Sequence, residues 1–240
     1  MNVKLVKVRS ILSKSKVYDY VINPYIGCQH GCVYCYARVV KRFTGHREPW
    51  GEFVDVKINA SLLLREELRK KKKGGIWISG LCDPYQPLEK EFMITRKCLE
   101  ILSDCSWPVF IQTKSPMVLR DLDVIKKFSF IEVGFSIGTA FDEISRIFEP
   151  NAPSIDSRIE ALSVLKAHGV KTYAMIAPVL PGAEGLIERL SGKVNYVIVD
   201  KMNYHYADWV FKKYGFEKTR DVSFLVFKFQ KSGIRAYFAS

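Results

Sequence analysis

Residues 24–38 read Pro24-Tyr25-Ile26-Gly27-Cys28-Gln29-His30-Gly31-Cys32-Val33-Tyr34-Cys35-Tyr36-Ala37-Arg38 and gather three of the chain's six cysteines within eight positions. A closed tetrahedral zinc site takes four protein ligands, and disulfides take cysteines in pairs. An isolated triplet therefore points to a metal centre with one position open. Gly27 and Gly31 supply the backbone freedom that turns several sulfurs toward one compact centre. Two readings stand at this level: three thiolates on three irons of a four-iron cluster, or a zinc knuckle completed by His30 or His46.

Outward from the triplet, the chain alternates short β-rich apolar runs with amphipathic stretches, the pattern of successive βα units around a parallel sheet. Strands are predicted at 18–23, 76–79, 109–113, 130–136, 171–177 and 194–199. Helices are predicted near 59–72, 92–104, 117–127, 140–147, 155–168, 184–191 and 206–214. Asn59 is the expected cap of the first helix, Gly74-Gly75 its stop, and Gly169 ends the helix before Val170. Six such units are too few for a closed eight-stranded barrel. The fold expected is an α/β partial (β/α)6 TIM-type barrel with a short C-terminal β extension. Residues 1–200 would form the barrel. Residues 201–240 would add a helix and a β-hairpin packed on the same domain, because VSFLVFKFQ and IRAYFA flank a short Gly-containing turn.

The 240 residues are 48% hydrophobic and 13% aromatic, enough for one sizeable core. No run approaches the roughly 18 apolar residues of a membrane span, and the N-terminus alternates Val and Leu with Lys, unlike a signal peptide. A cytoplasmic protein is expected, in which clustered cysteines bind metal more often than they form disulfides. The net charge of +12 is concentrated in residues 1–20, 38–73 and 201–240, while 74–200 is slightly acidic. Such basic segments are suited to phosphate and make DNA or RNA a candidate partner; a solvated surface is the plain alternative.

The spacing Cys28-x3-Cys32-x2-Cys35, with Tyr34 before the last cysteine, resembles the signature of the radical S-adenosylmethionine (SAM) superfamily. The runs NPYIGCQHGCVYCYAR, DPYQPLE at 83–89, TKS at 113–115, EPNAPS at 149–154 and PVLPG at 178–182 are similar to the spore photoproduct lyase-like subgroup. The resemblance implies a [4Fe-4S] cluster held by Cys28, Cys32 and Cys35, SAM chelated to the open iron, and an electron donor such as ferredoxin or flavodoxin. It also implies reductive cleavage of SAM to a 5′-deoxyadenosyl radical that takes hydrogen from a substrate. A nucleic acid base is the substrate it favours, with a small molecule or peptide as alternatives, and a non-catalytic, zinc-stabilised nucleic-acid-binding module as the reading from another class.

Carried onto this sequence, the resemblance puts Tyr34 against the adenine and Tyr36 beside the cofactor. Asp83 is expected at the methionyl group, Lys114 at the SAM carboxylate or ribose, Ser136 at a ribose hydroxyl and Arg158 near the carboxylate. Tyr36 reads equally well as a core aromatic, Lys114 and Ser136 as loop-backbone partners, and Arg158 as a partner for Glu149. Pro178 and the residues after it would shape the adenine pocket through backbone. Subgroup members carry Thr or Ser before this Asp, whereas this chain has Cys82. Its thiol is either a hydrogen-atom donor or a small buried replacement for a hydroxyl. Tyr204 and Tyr206 lie in an aromatic-rich tail that reads as a packing helix, a base-stacking platform or a relay of hydrogen atoms.

Overall fold

The computed structural model describes residues 1–78, 80–219 and 221–239, and divides the chain into two compact units. One comprises Met1–His30 with Ala37–Glu132, the other Gly31–Tyr36 with Val133–Ser240.

The strands of the first unit are β1 (Asn2–Val6), β2 (Leu12–Lys14), β3 (Tyr20–Ile22), β4 (Tyr25–Ile26), β5 (Phe53–Lys57), β6 (Ile76–Ile78) and β7 (Val109–Thr113). β3, β6 and β7 are parallel neighbours, and β2 adds an antiparallel edge to β3. In β7 Val109, Ile111 and Thr113 are buried and the residues between them half-buried, the period of two expected of a strand. The last residue of the strand predicted at 76–79 lies outside the described residues. The helix Ala60–Lys70 follows β5, and Ile94–Ser103 precedes β7.

A separate sheet of order β1–β5–β4 was not anticipated. β1 has only half-buried and exposed residues, whereas in β5 Phe53 to Val56 are all buried. Neither presents a clean alternation, so their pairing is a tertiary outcome. Asn59 also departs from expectation: its amide accepts from Val8 N at 3.0 Å and donates to Val8 O at 2.8 Å, clamping the segment after β1 instead of capping the helix. Further along that helix, Glu67 accepts from Ile11 N and Leu12 N at 2.9 and 3.0 Å, docking the N-terminal segment.

In the second unit β8 (Ile131–Ser136), β9 (Lys171–Ile176), β10 (Tyr196–Val199) and β11 (Ala236–Phe238) are neighbours in that order, and β9, β10 and β11 run parallel. Ser154 caps the helix Ile155–Ala167 by accepting from Ser157 N, and Gly169 at φ +80° ends it. The parallel strands and their helices are those of an α/β partial TIM-type barrel. The expected hairpin does not form: residues 223–231 are a helix, and β11 pairs in parallel with β10. Leu225, Val226 and Phe229 share one buried helix face, and Gly233 at φ +83° breaks the helix where a hairpin turn was expected. Among the described residues no helix is long and apolar enough to cross a membrane.

Gly134 on β8 lies under Tyr173, which stacks on Tyr196 with ring centroids 5.3 Å apart. A Cβ at Gly134 would fall 2.1 Å from the Tyr173 ring. Gly134→Ala is therefore expected to destabilise the protein by about 1–3 kcal/mol. Urea denaturation checks this; an unchanged midpoint would mean the ring moves aside freely.

Candidate functional site

The C-terminal ends of the barrel strands carry the polar residues singled out in the sequence, as the chemistry of such folds requires. In the first unit these follow β3, β6 and β7. Asn23, just past β3, accepts from Gly80 N at 2.9 Å and Leu81 N at 2.6 Å, so one amide oxygen sets the turn after β6. Cys82 lies in that turn, buried, with its Sγ 3.9 Å from Asn23 Oδ1.

Asp83 is buried and saturated with donors. Its Oδ1 accepts from Thr113 Oγ1 at 2.6 Å and Tyr85 N at 2.9 Å; its Oδ2 accepts from Lys114 N at 2.7 Å and lies 3.1 Å from His30 Nε2. Burial opposes the negative charge, but the His30 ring, the Thr113 hydroxyl and the Lys114 amide outweigh it and hold the carboxyl at about 2. The rest of the 83–89 segment straps the same loop. Fully buried Gln86 accepts from Gln29 N at 3.0 Å and donates to Gly27 O at 3.3 Å, Leu88 N donates to Gln29 Oε1 at 2.7 Å, and Tyr25 donates its hydroxyl to Glu89. DPYQPLE is thus the complement of residues 25–30. Gly27 at φ +87° fits because a Cβ there would lie 2.3 Å from Phe53 O.

In the second unit EPNAPS holds residues 31–36. Val33 N donates to Phe148 O at 2.9 Å, Cys35 N to Cys32 O at 3.1 Å, and the Tyr34 hydroxyl to Glu149. Burial first, and then the Glu149 charge, pushes the Tyr34 phenol well above its ordinary range, so it stays a donor. Glu149 pairs at 2.6 Å with Arg158, which has no exposed surface. The remaining guanidinium donors go to Ser136 O at 2.9 Å, Pro153 O at 2.7 and 2.9 Å, and Ser145 Oγ at 3.4 Å. PVLPG is held through backbone: Val179 N donates to Asp200 O and Leu180 N to Gly138 O.

Asp83 meets the His30 ring, the Thr113 hydroxyl and the backbone of Tyr85 and Lys114, which anchors the cysteine loop, and Arg158 is the partner of Glu149, one of its two expected roles. Lys114 shares in this through its amide while its side chain is half-buried, Ser136 is buried at the end of β8, and Tyr36 is exposed beside Tyr204. Asn23 and Gln86, which the sequence reading did not single out, also hold these loops; their signal was a polar residue inside a motif that the fold buries.

Cys28 and Cys32 are buried and Cys35 is half-buried. Three thiols on one short glycine-flanked loop are the donor set of a cubane with one open iron. His30 faces Asp83, and both ring nitrogens of His46 face carboxylates, Nδ1 at 3.0 Å from Glu48 and Nε2 at 3.1 Å from Asp55. Among the described residues no group of three or more His, Cys, Asp or Glu side chains forms a preassembled single-ion site. Cys98 is fully buried, which pushes its thiol up to about 12 and leaves it inert.

Residues 22–184 match the family described as the Radical SAM superfamily. An uncharacterized protein of Methanocaldococcus jannaschii is 44% identical over 162 residues, covering 68% of this chain and 61% of the relative. A radical SAM Nα-GlyT isomerase of Pseudomonas phage M6 is 26% identical over 213 residues, covering 82% of this chain and 44% of the relative. The chain thus spans less than two thirds of the length of either. Among solved structures, a spore photoproduct lyase mutant with bound AdoMet and dinucleoside spore photoproduct matches with a TM-score of 0.71 at 16% identity, over 98% of this chain and 81% of that one. That likeness is one of fold.

Two outcomes follow from the anchors. The folded carboxyl of Asp83 lies below the unfolded value of 3.8, so its stabilisation is complete above about pH 4 and is lost as pH falls toward 2. The stability gap between wild-type and Asp83→Asn cluster-free protein should therefore shrink between pH 4 and pH 2 in urea titrations; a constant gap would contradict the assignment. Arg158→Met, which leaves Glu149 charged and buried, is expected to cost about 3–5 kcal/mol, and Arg158→Met with Glu149→Met to recover most of it. Denaturation of both variants reads this directly.

Proposed function

The chain belongs to the radical SAM superfamily, whose cofactors are a [4Fe-4S] cluster and SAM, and from that premise we propose that it is an enzyme acting on a nucleic acid base. Cys28, Cys32 and Cys35 would hold the cluster. When bound, the two cofactors supply a 5′-deoxyadenosyl radical able to take a hydrogen atom from a substrate. The protein's own residues hold, orient and exclude water. Asp83 with Gln86, and Glu149 with Arg158, fix the two halves of the cysteine loop. Tyr34 offers its ring to the adenine while its hydroxyl stays on Glu149. The Lys114 ammonium just past β7 would meet the SAM carboxylate or ribose, the Ser136 hydroxyl a ribose hydroxyl, and Tyr36 would lie beside the cofactor. A ferredoxin or flavodoxin would deliver the electron.

The observation that carries this reading is the match over 22–184 together with Cys28, Cys32 and Cys35 in the signature spacing. The nucleic acid substrate is supported by the net charge of +12 and by the dinucleoside bound to the structural relative. Cys82, turned to Asn23, is the thiol proposed to return a hydrogen atom to the substrate radical.

Anaerobically reconstituted protein should carry about four irons and four sulfides and release 5′-deoxyadenosine from SAM with dithionite; colourless protein with one tight zinc overturns the reading. In heavy water, which exchanges the Cys82 S–H for S–D, deuterium should enter the nucleosides recovered from cell-extract DNA or RNA. Cys82→Ser keeps a hydroxyl for Asn23 but has no weak S–H bond. It should form 5′-deoxyadenosine while product falls at least about tenfold, a loss of about 1.4 kcal/mol; unchanged product removes Cys82 from the chemistry.

A further inference from the structure

Immediately after Cys35 the second unit presents three tyrosines in file. Tyr36 stacks on Tyr204 with centroids 5.8 Å apart and planes 19° from parallel, and Tyr204 stacks on Tyr206 at 5.9 Å and 11°. At these separations near-parallel rings are offset, so part of each face is left uncovered. Tyr36 and Tyr204 are 40% and 46% exposed.

This outward run is firmly seated. Met202 and Ala207, on either side of it, are buried in the cluster of Phe148, Leu180, Val210 and Phe211, against which Tyr34 also packs. Asp200 at the end of β10 accepts from Lys201 N at 2.8 Å and Asn203 Nδ2 at 2.7 Å, fixing the turn that delivers Tyr204. Tyr36 and Tyr204 stay exposed and Tyr206 half-buried, while their neighbours Met202 and Ala207 are buried. The segment that carries two of these rings is basic in sequence, with eight Lys and Arg against three acids in 201–240. One of those acids, Asp208, is paired with Lys218 at 3.0 Å and His205 at 2.9 Å.

From this juxtaposition we infer that Tyr36, Tyr204 and Tyr206 form a stacking subsite for unpaired bases of a nucleic acid strand, holding nucleotides that flank the reacting one. The inference rests on the proposed nucleic acid substrate and adds that the strand is single-stranded or locally opened where it meets the protein. Successive aromatic faces bind successive bases without regard to sequence, and lysines beside them track the phosphates.

The test measures anisotropy of fluorescein-labelled oligothymidylate, oligouridylate and a thymine–adenine duplex with the full-length, cluster-loaded protein. Wild type should bind one or both single strands more tightly than the duplex. Tyr204→Ala should weaken single-strand binding about 5- to 150-fold, the effect of about 1–3 kcal/mol per stacked base. Tyr204→Phe, which keeps the ring, should bind within about twofold of wild type, at the same slope of affinity on salt, because stacking releases no counterion. Preference for thymidylate over uridylate, or the reverse, identifies the polymer. Wild-type affinity in Tyr204→Ala overturns the stacking subsite and leaves the nucleic acid reading standing. Failure of wild type to bind any of the three polymers overturns both.

Discussion

Two buried carboxylates govern how this protein presents its cysteines. Asp83 collects His30, Thr113, Tyr85 N and Lys114 N; Glu149 collects Tyr34 and Arg158. Each is an ionised group out of water, tolerable only because its lone pairs are met by donors. Such arrangements add little stability over apolar packing of the same volume, but they admit few alternative geometries. The loop they restrain is short and carries two glycines with positive φ. A low-potential cluster needs its thiolates presented rigidly, and directional bonds to buried charges provide that where hydrophobic packing would not.

The motifs acquire meaning through this constraint. DPYQPLE and TKS meet at Asp83, and DPYQPLE reaches residues 25–30 through Gln86, Leu88 and Glu89. Phe148 O and Glu149, at the start of EPNAPS, reach residues 33–34. Motifs that stand apart in the sequence thus share the work of bracing residues 25–34.

Much of the architecture was legible beforehand. β7 lies where its apolar alternation put it, and the helix 155–167 ends at the expected Gly169 stop. The failures have physical reasons. β1 and β5 gain their strand character from pairing with each other, and residues 223–231 present apolar residues that serve a helix face as readily as alternating strand positions. Asn59 had two competing uses for its amide, and the long-range one with Val8 prevailed.

The sequence by itself determined the donor chemistry and the broad fold. Three cysteines in that spacing, two flanking glycines and the βα rhythm are local properties, readable from residue type and interval. Only the tertiary structure decided which polar residues face inward. Whether an aspartate or arginine meets a ligand or another side chain depends on residues 50 to 115 positions away, such as His30 for Asp83 and Tyr34 for Glu149. That choice is made by burial, where an unpaired charge costs too much to persist, and burial is a property of the assembled fold.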